Sequence, residues 1–540
     1  MAGSRPADVC LIVEGAYPYV VGGVANWLHD LILSFPDLEF ALVAIKPVDR
    51  STPWKMDPPA NVTQVVEVPL AVKTGRPRRL PPKLVKTIGA QLISFISLGR
   101  RDALIEITRH LSKLKAGVTA GDLLSNPQMF QILIRHYERN FRATSFHHYF
   151  WAMRNLIGGC LAMLLAPLPE AKVYHTLSTG FAGLLAARAA YETGRPAFVT
   201  EHGIYFLERQ IEVMMSEWIG DQIEWGLTIE EKSSDLRDLW IRSFNSYTRA
   251  CYEACNPIIA LYHANNVVQS SLGAAPDRLR VISNGIDSGR FDNTRDERDP
   301  HHPLVALIGR VVPIKDIKTY IRAASLVHAA LPDARFVVLG PEDEDEDYAS
   351  DCRTMVEELG IGEVFSFAGR VNVAEWLPRI DLNVLTSLSE AQPLVILEAG
   401  LCGIPVVAPD VGSCREMIEG RDPAVDARGG IVTALVDPEA TAEGIITLLS
   451  VHALRQSMGT ALRERVLRDY EISTIIAQYR ELYTSLGAAK RTAYSTTPKR
   501  AAANKAKAKS SSGRQRQWGA FLARGKRPAR EAAAHGAEEG

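Results

Sequence analysis

Apolar residues in this chain fall in short runs separated by stretches with helical spacing, and the two patterns alternate almost from the first residue. The run VCLIVEG is followed by apolar positions at Val24, Trp27, Leu28, Leu31 and Ile32, which share one helix face, and then by FALVAIKP. That order reads as a βαβ unit, and strands that are apolar throughout read as covered on both faces, as in a parallel sheet. AKVYHTL, AFVTEHG, NPIIALY and LRVISNG repeat the pattern and complete a first doubly wound domain. After the polar stretch SGRFDNTRDERDPHHP comes a second series, PLVALIGR, ARFVVLG, EVFSFAG, DLNVLTS, IPVVAPD and GIVTALV, each followed by a helical pattern. The expected class is α/β, with Rossmann-like domains at 1–290 and 304–470, a hinge at 291–303 and a closing helix at 471–489.

Between about residues 73 and 165 the rhythm gives way to a helix-rich, partly basic insertion, beginning near RPRRLPPKLVKTIGAQLISF. Insertions of this size commonly serve a substrate or a partner. Its most apolar part, Leu156 to Leu168, is interrupted by Pro167. It falls short of the roughly 20 residues that cross a bilayer, so a buried helix is expected there.

Composition refines this picture in three places. With 540 residues, 46% hydrophobic and 23% charged, the chain has room for two or three cores. A formal net charge of −1 hides a division, because residues 490–540 hold thirteen Lys or Arg and three Glu, with few aromatic or branched side chains. That segment reads as a disordered basic tail without a specific nucleic-acid partner. The seven cysteines are scattered and form no CxxC pair, which argues against a disulfide framework or a zinc site and fits a reducing compartment. The opening MAGSRPADVCLIVEG lacks the three regions of a signal peptide, so cytoplasmic residence is expected.

Candidate chemistry concentrates in the second series. Gly309 and Arg310 close the strand PLVALIG, Lys315 follows five residues later, and Glu390 and Glu398 stand beyond the strand DLNVLTS. Two fixed cations suit a departing nucleoside diphosphate, and two carboxylates suit the hydroxyls of a ribose and a sugar. Pro393 suits the first turn of the next helix, where its missing N–H is not needed. With Leu394 it opens a helix whose free N–H groups favour a diphosphate, while Glu398 lies far enough along to face the ribose. In the first domain, Gly22 and Gly23 sit between strand and helix, where bare backbone lets a phosphate or sugar come close. Asp343-Glu344-Asp345 has the form of a DxD metal motif, but it belongs to the acidic run EDEDED and reads as a solvated loop. No metal is therefore expected. Cys251 and Cys255 can share a helix face, yet with no nearby His or Cys partner they read as structural.

Arg310 with Lys315, the pair in SEAQPLVILE, AGLCGIPVVAPDVGSCREMI and SNGID together resemble retaining glycosyltransferase family 4, over roughly residues 7–485. EGAYPYVVGGVANWLH, SFHHYFWAMRNL, YHTLSTGFAGLLAARA and TEHGIYFLERQIE resemble, more narrowly, the cytoplasmic glycosyltransferases of Pel exopolysaccharide biosynthesis, the PelF family. The resemblance implies the GT-B fold, with two Rossmann domains facing across a cleft. It implies that Arg310 and Lys315 hold the diphosphate, Glu398 the ribose and Glu390 the transferred sugar. Gly369, Arg370 and Val371 would line the base, and His202, at the end of a first-domain strand, would face the donor sugar. His175 ranks lower, as a strand-end structural histidine. One departure stands out: many relatives have Glu-Gly before the proline, whereas Glu390-Ala391-Gln392-Pro393 stands here, which bears on loop geometry and donor choice.

On this reading the chain transfers a sugar, with retention, from a UDP-sugar to a growing Pel-like exopolysaccharide on the cytoplasmic side of the inner membrane. Its partners would be the UDP-sugar, a glycan acceptor and inner-membrane synthase or export subunits. Two rivals share parts of the pattern. One is a UDP-N-acetylhexosamine epimerase of the same fold, which the Arg310, Lys315, Glu390 and Glu398 set disfavours; the other is a non-catalytic nucleotide-binding subunit of a polysaccharide synthase.

Overall fold

The computed structural model describes residues 5–15, 17–47, 52–72, 77–114, 117–216, 236–291, 298–422 and 424–491. The basic tail from residue 492 and positions 292–297 of the expected hinge lie outside that set.

Two parallel sheets carry the architecture. The first holds β1 (Ala7–Glu14), β2 (Phe40–Lys46), β3 (Val62–Pro69), β4 (Ala171–Thr176), β5 (Ala197–Glu201), β6 (Ile258–Ala260) and β7 (Leu279–Val281). They lie side by side as β3-β2-β1-β4-β5-β6-β7. The second holds β8 (Leu304–Ile308), β9 (Arg335–Leu339), β10 (Phe365–Gly369), β11 (Leu382–Val384), β12 (Val406–Pro409) and β13 (Gly430–Thr433), ordered β10-β9-β8-β11-β12-β13. In both, the order reverses beside the first strand of the domain, and such switch points place a crevice at the carboxyl ends of the strands.

Strands read from continuous apolar runs in the middle of a sheet are buried, every residue of β2 and most of β1, whereas β7 and β10, read from such runs but lying at sheet edges, bury little. β3 is an exception that the apolar pattern misses, because it lies at the sheet edge, with Thr63, Gln64 and Glu67 exposed and Val68 alone fully buried. Its Glu67 accepts from Lys46 Nζ at 2.6 Å and from Tyr19 Oη at 2.7 Å. Those hydrogen bonds, Lys46 first, hold the carboxyl down to about 2.

The helix Gly23–Leu33 buries Ala25, Leu28, Leu31 and Ile32 against the first sheet. Each large apolar side chain so covered contributes about 1.5–3 kcal/mol. The described residues of the insertion form five helices, Pro82–Leu98, Arg101–Ser112, Ala120–Leu124, Pro127–Asn140 and Phe146–Leu165. They join the hydrophobic core on the other face of that sheet through Leu92, Phe95, Leu156 and Leu161. Leu156 begins the buried end of Phe146–Leu165, and among the described residues no helix is long and apolar enough to cross a membrane.

The last helix, Ile472–Gly487, follows the second domain in sequence but packs on the first sheet. Tyr479 and Tyr483 are buried there, with Tyr483 Oη 2.9 Å from His175 Nδ1 and Tyr479 Oη 3.2 Å from Thr200 Oγ1. His175 also stacks on Phe198, with ring centroids 4.0 Å apart. Burial pushes its pKa down to about 3, so it serves the core as a neutral ring. The chain crosses between domains twice, side by side: Ile286 N–H donates to Tyr470 O at 2.8 Å, and Ile472 N–H to Ile286 O at 3.0 Å.

Candidate active site

A cavity of about 610 Å³ opens between the domains at the carboxyl ends of both sheets. Gly23, Trp27, His202 and Asn284 face it from the first domain, and Glu390, Gln392, Leu394 and Glu398 from the second. A smaller cavity of about 330 Å³ adjoins it, sharing Val24, His202 and Ala391 and reaching Glu14, Tyr17, Ser178 and Tyr205.

His202 follows β5 directly, so the strand end aims it at the cleft, and its ring meets that of Trp27 edge-to-face at 4.5 Å between centroids. Burial lowers its pKa to about 4, which leaves it neutral near pH 7. Its Nε2 is buried and has no protein partner among the described residues. Gly22 caps the helix Gly23–Leu33 in extended backbone, and a Cβ added at Gly23 meets nothing within 4 Å, so open space lies over the amino end of that helix.

In the second domain, Lys315 ends a short 3-10 turn, Pro313–Lys315, tied to the neighbouring loop by Thr386 Oγ1 donating to Lys315 O at 2.9 Å. Its Nζ pairs with the carboxylate of Glu390. Helix Leu394–Leu401 begins one residue later than its sequence implies: Pro393 occupies the cap position rather than the first turn. Leu394 and Glu398 both line the cavity from this helix. Gly309, at the end of β8, donates its N–H to Leu339 O at 3.0 Å.

Not all the residues singled out from the sequence gather here. Arg310 is exposed and pairs with Glu344, and Arg370, also exposed, lies 3.8 Å from Asp343. Gly369 ends β10 with φ of +67°, and Val371 packs half-buried on the core beneath. The acidic run is thus more engaged than a solvated loop: Glu342 pairs with Arg353 at 2.6 Å, and Asp345 caps the helix Glu346–Glu358 by accepting from Tyr348 N–H at 3.0 Å. Among the described residues no three His, Cys, Asp or Glu side chains converge as metal ligands, and the seven cysteines are thiols rather than disulfides. Cys251 and Cys255 are buried with their sulfurs 3.7 Å apart.

Sequence reasoning passed over several residues that shape the site. Gly340 and Gly412 hold the loops of Gly309 and Glu390 at close range, and Asn284 reaches the cleft from the end of the first domain. The visible signals are small ones: a glycine closing a strand run in ARFVVLG, and another inside PDVGS.

Glu201, the residue before His202, is buried and accepts from Tyr252 Oη at 2.5 Å, Gln269 Nε2 at 2.9 Å and Thr179 Oγ1 at 3.1 Å. Burial outweighs these hydrogen bonds and pushes its pKa from 4.5 up to about 7. The folded carboxyl therefore keeps its proton where the unfolded one loses it, and the stability this brings is present below about 4.5 and lost as pH rises to about 7. Glu201→Gln removes that dependence. Urea midpoints compared between about pH 5 and about pH 8 are expected to show wild type losing about 1–3 kcal/mol relative to the variant. Parallel pH dependence in the two proteins contradicts this.

Two family models match the chain. The model described as "Domain of unknown function (DUF3492)" matches residues 7–277, half of the chain, and the model described as "Glycosyl transferases group 1" matches residues 302–451. Among curated relatives, the alpha-maltose-1-phosphate synthase of Mycolicibacterium smegmatis is 26% identical over 337 residues, covering 58% of this chain and 78% of that protein. D-inositol 3-phosphate glycosyltransferase 1 of Catenulispora acidiphila is 32% identical over 240 residues, or 40% of this chain and 54% of the relative, so the match spans about half of that protein. Among solved structures, HepE of Anabaena with UDP and glucose superposes with a TM-score of 0.52 at 14% identity, covering 89% of this chain and 100% of that one. A sucrose-phosphate synthase from Thermosynechococcus elongatus gives 0.53 at 15%, with the same two coverages. The chain belongs to the DUF3492 family, carries a group 1 glycosyl transferase domain in its second half, and is a glycosyltransferase of the GT-B fold.

Proposed function

We propose that this enzyme transfers a hexose, with retention, from a UDP-sugar to a growing exopolysaccharide of the Pel type, at the cytoplasmic side of the inner membrane. The observation that carries the donor site is the cavity of about 610 Å³ where Gly23 and His202 of one domain face Glu390 and Glu398 of the other. UDP comes first as the nucleotide because a neighbour of the same fold holds UDP and glucose. The names of the relatives also describe sugar chemistry on phosphorylated compounds. The Pel assignment and recruitment to inner-membrane synthase or export subunits rest on the motif resemblance.

In this reading Glu398 holds the ribose, Glu390 the transferred sugar, and the segment Gly369–Val371 the base. The bond from the anomeric carbon to the β-phosphate oxygen breaks, and its electron pair goes to the phosphate, whose charge Lys315 and Arg310 offset. A phosphate oxygen takes the proton of the acceptor hydroxyl as that oxygen attacks from the same face. Arg310 exchanges Glu344 for the diphosphate on binding, and the leaving group is held by these cations without a metal. His202, neutral at working pH, presents Nε2 to the sugar.

Isothermal titration with UDP tests the site. Wild type is expected to bind, and Glu398→Ala to bind about tenfold or more weakly through the lost ribose contact. A folded wild type that does not bind UDP, or a Glu398→Ala variant with unchanged affinity, refutes this placement.

A further inference from the structure

Gln392 is 7% exposed, at the point where the two domains meet. Its Oε1 accepts the backbone N–H of Asn284 at 2.8 Å, a hydrogen bond from the first domain to the second. That bond fixes which end of the amide is which: the acceptor faces Asn284, and Nε2 must point the other way. Nε2 is buried, lacks a protein partner among the described residues, and belongs to a side chain that lines the cavity of about 610 Å³. A buried donor left unmet is costly, so such a group calls for an explanation. It also has company. His202 and Asn284 line the same cavity, and His202 Nε2 and Asn284 Oδ1 are likewise buried without partners among the described residues.

We infer that Gln392 is a specificity residue that donates from Nε2 to a hydroxyl oxygen of the transferred hexose, and that it is aimed there by Asn284 across the domain boundary. This rests on the donor site proposed above. Gln392 lies two residues from Glu390, the residue proposed to hold the transferred sugar, and lines the same cavity as His202. The aiming bond comes from the other domain, so the contact exists only when the domains are apposed. Recognition of the sugar and closure of the cleft are then one event rather than two. The replacement of glycine by Ala391-Gln392 before Pro393 thereby acquires a role: it places a side-chain donor ahead of a proline that has no N–H to offer.

The test titrates wild type, Gln392→Met and Gln392→Glu with UDP, with UDP-glucose, or UDP-N-acetylglucosamine if the wild type prefers it, and with the monodeoxy and monofluorodeoxy analogues of that sugar. In wild type, one deoxy position is expected to cost about tenfold, with fluorine at that position recovering part of the loss because it accepts a hydrogen bond. Gln392→Met abolishes the cost at that position alone while still binding UDP. Gln392→Glu keeps an acceptor for Asn284 N–H but turns the inner atom into an acceptor, so the fluoro analogue becomes the worst ligand. Equal losses at every position in all three proteins overturn the inference and leave Gln392 as a bridge between domains. Failure of wild type to bind UDP overturns the donor site first, and this contact with it.

Discussion

Lys315→Ala lowers kcat/KM for sugar transfer by about 10²–10³-fold, with most of the loss in turnover. In the proposed reaction charge grows on the diphosphate as the glycosidic bond breaks, so a cation beside it would act more strongly on the transition state than on the bound donor. The fold fixes Lys315 in place. Its turn is tied to the loop after β11 by Thr386 and by Leu388 N–H donating to Ile314 O at 2.9 Å, and its side chain is only 22% exposed. The same pairing complicates the single variant. Glu390 is 14% exposed, and removing Lys315 strands its carboxylate, which costs stability of about 1–3 kcal/mol. Lys315→Met with Glu390→Gln separates the two effects. The double variant recovers the urea midpoint because no charge is left unpaired, but it does not recover turnover. A double variant active within about tenfold of wild type shows that the cation is dispensable to the reaction.

Much of the fold is legible in the sequence because continuous apolar runs and helical spacing report burial directly. β2 is buried from end to end, and FALVAIKP announces it. β3 escapes that reading because an edge strand buries little, and its VTQVVEVP alternates with polar residues that meet solvent or Lys46. The last helix is visible by its spacing, but its placement on the first sheet depends on Tyr479 and Tyr483 finding Thr200 and His175, about 280 to 310 positions away in sequence. The site divides along the same line. Glu390 and Glu398 sit on one loop and helix, so spacing alone brings them to one cavity. The pairing of Lys315 with Glu390, the hold of Glu344 on Arg310 and the hydrogen bond from Asn284 to Gln392 join segments that no local pattern connects.

Two glycines that support the site from outside it give the other large effect: Gly340→Ala and Gly412→Ala are expected to cost about 3–5 and about 2–4 kcal/mol of stability, respectively. A Cβ on Gly340 would lie 2.0 Å from Gly309 O, where two backbone hydrogen bonds, Gly309 N–H to Leu339 O and Val311 N–H to Pro341 O, hold the β8 loop against the end of β9. The methyl group cannot move, so the Gly309–Val311 loop must, and Lys315 moves with it. Gly412 has φ of +54°, and its Cβ would lie 2.1 Å from Glu390 O and 2.6 Å from Ala391 O. Alanine there meets left-handed backbone and a clash at once, and relief of the clash shifts the loop from which Glu390 and Gln392 line the cavity. Donor affinity is therefore expected to fall by about 10²-fold in Gly412→Ala, even at temperatures where the variant is folded. Gly23→Ala supplies the contrast. Its Cβ meets nothing within 4 Å and its position is helical, so stability holds or rises by up to about 1 kcal/mol, while the added methyl projects over the amino end of the helix. Urea unfolding and UDP-sugar titration on the three variants then separate two kinds of glycine: Gly340 and Gly412 lose stability and binding together, and Gly23 loses binding alone. Full donor affinity in Gly23→Ala shows that its bare backbone is a turn and not a ligand contact.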